Sequence, residues 1–220
     1  MKTTIQTISV ITITLFFLFT GYSYGQNQKF GIKGGFNLSG IVLGEFDPYY
    51  ENESKTGFNF FVSYDFYNNS FLSLSAETGF NQKGFKYNSI TRNGSGEYIS
   101  SGISENTFNY ADISFNSKFL YRNKSVSPYI SLTPTLGIFA GNSLSSADSL
   151  SAYFDNYIFD SLKTVTFGIK IGAGVEIYNL LKNVPVIFEI RYNPDFTESY
   201  NQFHVEIKNR SFELNLGIKF

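Results

Sequence analysis

The chain has 220 residues, of which 42% are apolar, 19% aromatic and 16% charged, with a formal net charge of −1. It contains no cysteine, which excludes disulfides, a thiolate nucleophile and cysteine-held zinc. The charge balance leaves no basic surplus to displace the counterions of a nucleic acid.

The N-terminal segment reads as a secretory signal peptide. Met1-Lys2 is a short positive start, Ile8 to Phe19 an apolar run broken by threonines, and Gly21 to Gly25 a small-residue and tyrosine stretch. This three-part form predicts cleavage after Gly25, leaving residues 26–220 as one exported domain. A retained membrane helix is the rival, but the apolar part is shorter than the ~20 residues that span a bilayer. No cysteine follows the cleavage region, which argues against a lipoprotein.

Eight stretches then alternate apolar and polar residues with the two-residue period of a strand whose faces differ. The first, Phe30 to Leu38, sets Phe30, Ile32, Phe36 and Leu38 against Lys33, Gly35 and Asn37. In Phe58 to Phe66 the even positions are apolar, and Phe61 breaks the polar face. Leu72 to Lys83 opposes Leu72, Leu74, Ala76 and Phe80 to Ser73, Ser75, Glu77, Asn81 and Lys83. Tyr110 to Phe119 opposes Ala111, Ile113, Phe115 and Phe119 to Asp112, Ser114, Asn116 and Lys118.

Tyr129 to Phe139 continues the pattern but contains Pro134. Proline cannot donate to a ladder, so a bulge or a locally lost bond is expected there. The sixth run, Val165 to Ile177, has apolar residues at all seven odd positions, against Thr166, Gly168, Lys170, Gly172, Gly174 and Glu176. Such a run arises by chance in roughly one window in ten thousand at this composition. Val186 to Tyr192 carries Glu189 and Arg191 on its polar face. The last, Phe212 to Phe220, places Phe212, Leu214, Leu216, Ile218 and Phe220 on one face, with Glu213 and Lys219 on the other.

The links alternate in length. Short ones lie at Asn68-Asn69-Ser70, Arg122 to Ser127 and Asn179 to Val184. Long ones run over Ser39 to Gly57, Tyr87 to Phe108, Gly141 to Lys163 and Asn193 to Arg210. Outer-membrane barrels sort their connections this way, with short periplasmic turns and long extracellular loops. The pattern predicts an all-β, eight-stranded antiparallel up-and-down transmembrane β-barrel. A phenylalanine-rich soluble β-sandwich is the alternative, and it has no reason to sort its loops.

Certain segments resemble a known family. Phe30-Gly31-Ile32-Lys33-Gly34-Gly35-Phe36-Asn37-Leu38-Ser39 looks like the opening strand of the Bacteroidetes outer-membrane β-barrel family, often labelled the porin family or PorT-like. Gly79-Phe80-Asn81-Gln82-Lys83-Gly84-Phe85 is similar to its third-strand motif and Tyr110-Ala111-Asp112-Ile113 to its fourth, although Ser114 stands where a proline is usual. Arg191-Tyr192 and the terminal Phe220 also fit. The resemblance implies a barrel placed in the outer membrane by the barrel-assembly machinery. It implies no single activity; some members are associated with protein secretion.

Eleven charges fall on the polar faces: Lys33, Glu77, Lys83, Asp112, Lys118, Lys170, Glu176, Glu189, Arg191, Glu213 and Lys219. Eight strands enclose an interior about wide enough for side chains to fill. These charges are therefore expected to cross-link as a lumen network, with a narrow ion or proton path as the alternative. Phe212, Leu214, Leu216, Ile218 and Phe220 are expected to form the insertion signal.

Catalytic material is sparse. His204 is the one histidine, with Ser199 and Glu206 nearby in sequence, and no nucleophile-elbow pattern accompanies it. The reading is therefore non-enzymatic, without cofactor or metal. Glu45, Asp47, Glu51 and Glu53 match no calcium-loop spacing and read as a solvated acidic loop, with a cation bridge to lipopolysaccharide phosphates as the rival. Asp148-Ser149-Leu150 and Asp160-Ser161-Leu162 resemble the Asp-Ser/Thr-apolar sites that Bacteroidetes O-glycosylate on exported proteins. Expected partners are outer-membrane lipid and lipopolysaccharide, the assembly machinery and, in the PorT-like alternative, secretion-complex proteins.

Overall fold

The computed structural model describes residues 30–43, 52–92, 95, 98–123, 125–145, 163–181, 184–197, 200–202 and 205–220. The signal-peptide reading, His204, most of the acidic loop and both Asp-Ser-Leu sites lie outside the described residues. Every element within them is a strand: β1 (Phe30–Leu43), β2 (Asn52–Asn68), β3 (Leu72–Arg92), β4 (Tyr98–Leu120), β5 (Val126–Ser145), β6 (Val165–Leu181), β7 (Val184–Pro194), β8 (Tyr200–Gln202) and β9 (Val205–Lys219).

Neighbours in sequence pair antiparallel from β1 to β7, β7 pairs β9, and β9 returns to β1. The sheet is thus closed, and no barrel strand has a free edge to expose unpaired backbone groups. β8 is the one element not foreseen from sequence. It lies outside the ring of eight and pairs only with the start of β9. At the closing seam Phe30 and Phe220 exchange two backbone hydrogen bonds of 2.9 and 2.8 Å.

Register fixes the tilt. Gly31 faces Ser63, then Glu77, Ser114, Thr135, Gly168 and Asp195 follow in turn around the wall. The Asp195 amide donates to the Asn209 carbonyl, and Asn209 faces Ile41. One lap therefore climbs from Gly31 to Ile41, a stagger of ten residues. For eight strands this corresponds to a tilt of about 40°.

The faces follow parity. Phe36, Ile113, Ile130, Ile171, Ile190, Phe212 and Leu214 are exposed on the outside, whereas Lys33, Glu77, Asn81, Lys170, Glu189 and Arg191 are buried inside. Phe167, half-exposed, and Ile171, 57% exposed, lie outside the wall and in no protein core. The outward apolar band covers nine residues in β1, from Phe30 to Leu38, and nine in β2, from Phe58 to Phe66. At about 3.3 Å per residue and this tilt, nine residues rise about 23 Å, close to the ~25 Å apolar belt of outer-membrane barrels.

The strands run further than their alternation suggests. β3 and β4 stay paired from Leu72–Phe119 up to Arg92–Tyr98, through most of what reads as a long loop. Beyond the apolar band the outward face is no longer oily, although Phe85, Ser104, Asn106 and Phe108 stay buried within, so the ladder persists after the alternating pattern has ended. At Pro134 the β4–β5 ladder is interrupted at Phe115 and Asn116, then resumes in the same register, a locally lost pairing without a bulge. The bulge in this pair lies higher, where Asn109 faces Gly141 and Tyr110 faces Phe139. Gly141 has φ 147°, a backbone state that side-chain-bearing residues rarely adopt.

Candidate functional site

The lumen is the candidate site, because the polar faces of all eight barrel strands converge there. All eleven charges expected on those faces are buried. They pair in tiers along the axis. Near the end with the short turns, Lys219 bonds Asp65 at 2.7 Å and Glu176 at 2.8 Å, and Lys118 approaches Glu176 at 3.3 Å. Lys33 bridges Glu77 at 2.5 Å and Glu189 at 2.9 Å. Arg191 donates to both oxygens of Glu77, at 2.6 and 3.2 Å, and its Nε lies 2.9 Å from Glu189.

Next, Lys170 reaches Asp112 at 2.9 Å and Glu213 at 3.3 Å. The Asn81 amide donates to the same two carboxylates, each at 3.1 Å. Higher still, Lys83 holds both oxygens of Asp195, at 2.8 and 3.0 Å. Taking ions out of water is tolerated only where partners and hydrogen bonds replace their hydration, and each carboxylate here meets at least one cation.

Glycine makes room for these long side chains. Gly172 lies against Arg191 and Ser131, Gly174 against the Tyr129 ring, and Gly217 against Lys33; a Cβ at Gly174 would sit 2.6 Å from the Tyr129 hydroxyl. Phe61, which breaks the polar parity of β2, is wholly buried at the centre. Lys170 Nζ lies 4.3 Å from its ring centroid, Arg191 5.9 Å and Lys33 6.0 Å. The ring is an apolar stopper whose π-face is itself attractive to cations.

Buried apolar and aromatic side chains lie toward both ends of the lumen. Leu120, Tyr129 and Ile187 form a buried cluster toward the short turns, with Lys118 Nζ 4.6 Å from the Tyr129 centroid. Just outside it Arg122 clips three strands' ends together, donating to the Asn69 carbonyl at 2.7 Å, to the Tyr178 hydroxyl at 3.3 Å, and to Asn68. Toward the long hairpins Ile41, Phe85, Phe108 and Tyr110 are buried.

Three buried charges were missed from sequence: Lys55, Asp65 and Asp195. Lys55 and Asp65 share the parity of Phe61 and Ser63, so the alternation itself identifies them. Asp195 continues the parity of Glu189, Arg191 and Asn193, beyond the point where the apolar face fades. With these three, seven cations and seven anions are buried among the described residues. Above the membrane band Lys55 and Lys86 both pair with the half-exposed Glu105. Hydrogen bonds from Lys55 and then Lys86 hold its carboxyl below the usual value of 4.5.

A closed antiparallel cylinder with an oily exterior and a charge-paired interior defines a small integral β-barrel membrane protein. The outer membrane protein beta-barrel domain model matches residues 24–201, and the chain belongs to that family, located in the outer membrane. Solved structures similar to it include Neisserial surface protein A, at 17% identity and a TM-score of 0.48, covering 86% of this chain and 95% of that one. Ail, the attachment invasion locus protein of Yersinia pestis, is 18% identical with a TM-score of 0.42, covering 89% and 100%. OprG of Pseudomonas aeruginosa is 11% identical with a TM-score of 0.46, covering 87% and 95%. No curated protein matches the sequence.

Proposed function

We propose that the protein is a non-enzymatic outer-membrane barrel whose lumen is a fixed plug and whose extended extracellular hairpins serve structural or surface interactions. One observation carries this reading: the tiers of ion pairs around Phe61 leave its interior charges satisfied by one another rather than free to pass ions. A diffusion pore needs a water-filled channel, which eight strands are too few to enclose once large side chains point inward. The outward partners of the barrel are lipid and lipopolysaccharide. The barrel-assembly machinery would recognise the outward face of β9, through Phe212, Leu214, Leu216, Ile218 and Phe220.

Planar-bilayer recording of refolded protein tests the plug. The expected outcome is no steady conductance, and channels of nanosiemens size would overturn it. Co-purification of a large stable complex from membranes would favour the alternative, a PorT-like transport or secretion component.

A further inference from the structure

The outer wall is not evenly smooth. Along the seam where β9 meets β7 and β1, two shallow apolar grooves follow one another toward the long hairpins. The lower, of about 300 Å³, runs over Gly34 between Ile32, Leu181, Val186, Leu216 and Ile218. The upper, of about 360 Å³, lies between Phe36, Leu38, Ile190, Phe212 and Leu214. Leu214 and Leu216 are successive outward residues of β9, so the grooves make one furrow. Gly34 opens its floor between Leu216 and Phe60, which face it from either side.

Cations crown this furrow. Arg210 and Lys208 continue the outward parity of Phe212, the first exposed and the second half-exposed. At about 2.5 Å of axial rise per residue they stand about 5 and 10 Å above Phe212. Arg210 is flanked in register by Gly40 on β1 and Pro194 on β7, neither of which offers a competing carboxylate. The outward residues that follow the apolar band on β2, β3 and β4 are the neutral Thr56, Gln82 and Asn109.

We propose that the furrow is a specific site for one lipopolysaccharide molecule, with an acyl chain lying along it and a lipid A phosphate held by Arg210 and Lys208. The inference rests on the reading of lipid and lipopolysaccharide as the outward partners, and it gives them a place on the wall. Depth and charge select this occupant. An outer-leaflet amphiphile whose tail follows the furrow brings its headgroup to the level of Arg210. There a guanidinium matches phosphate through paired, charge-assisted hydrogen bonds. A second copy of the chain fits less well, since a two-fold contact across this seam would set Arg210 against Arg210.

The test is native mass spectrometry of the protein refolded in detergent and titrated with purified lipid A. One retained molecule per barrel is expected on the unmodified chain, and lipid A stripped of phosphate should bind about tenfold more weakly. Arg210→Gln should weaken retention by a similar factor. So should Gly34→Leu, which fills the groove from the wall side. A Cβ there meets only the Asn59 carbonyl at 3.4 Å and Phe60 Cδ2 at 3.7 Å, ordinary contacts that leave the fold undisturbed. Lys163→Gln removes an exposed rim cation at the approach to β6, across β7 from the seam, and should change nothing. Equal losses from Lys163→Gln and Arg210→Gln would reveal diffuse attraction to a charged rim and overturn the site. Equal binding of phosphorylated and stripped lipid A to the unmodified protein would do the same, and preference for phosphatidylglycerol would overturn the choice of lipid. Binding indifferent to all three substitutions would overturn the site yet keep lipopolysaccharide as a partner, whereas no binding at all would overturn both.

Discussion

At the residue scale, Arg191 is the side chain on which the interior most depends. It is fully buried and spans Glu77 and Glu189, two carboxylates that would otherwise share only Lys33. Arg191→Leu should lower unfolding stability by about 3–5 kcal/mol, because it strands buried negative charge; urea titration in lipid vesicles measures it. A loss under about 1 kcal/mol would mean that water reaches this tier. Glu105 makes the corresponding case in solvent. Its folded-state pKa is depressed by Lys55 and Lys86, so its stabilisation is present above the unfolded carboxylate value and is lost as pH falls through the lower, folded one. A carboxyl titration by NMR should give a midpoint below 4.5, and Lys55→Met should move that midpoint upward. Phe61 shows where sequence alone misleads at this scale. On β2 it is an error in the pattern, and only the assembled ring of strands brings Lys170, Arg191 and Lys33 around it.

At the element scale, β6 and β9 were legible before any coordinates because lipid contact enforces strict alternation. Ile171 lies midway along the outward apolar residues of β6. Ile171→Arg should therefore cost about 2–4 kcal/mol, while Tyr121→Arg, at an exposed turn position, should be close to neutral; the same vesicle assay compares them. Gly172, inward on the same strand, offers no tolerant control, since Ser131 and Arg191 already occupy the space beside it. The upper halves of β3 and β4, the short β8 and the inward Asp195 were illegible for a shared reason. Above the membrane the outward face no longer touches lipid, so parity carries no hydrophobic signal even though the ladder continues. At the other end, Phe220 closes the ring through backbone bonds to Phe30 and a ring contact at 6.5 Å. Deleting Phe220 should reduce outer-membrane yield on cell fractionation, whereas unchanged yield would remove the terminal aromatic from the insertion signal.

For the whole molecule, closure with no free edge predicts resistance to denaturation by detergent. Unheated samples in dodecyl sulfate should migrate differently from boiled ones, and identical migration would contradict a closed barrel. The eight-stranded count and the two-sided wall were readable from run lengths and alternating links, since both are imposed by the bilayer. The pairing of one interior charge with another was not readable. It depends on the ten-residue stagger, which brings Lys33 beside Glu189 and Arg191 beside Glu77 from strands far apart in the chain.

The near balance of positive and negative groups inside the wall, six against seven once Lys55 with its half-exposed partner Glu105 is set aside, also bears on how the cylinder enters oil. With so small a net monopole enclosed, a voltage or a charged lipid headgroup has little to pull on as the folded wall crosses the bilayer. The kinetics of spontaneous insertion into vesicles should then follow acyl-chain thickness and be nearly indifferent to ionic strength.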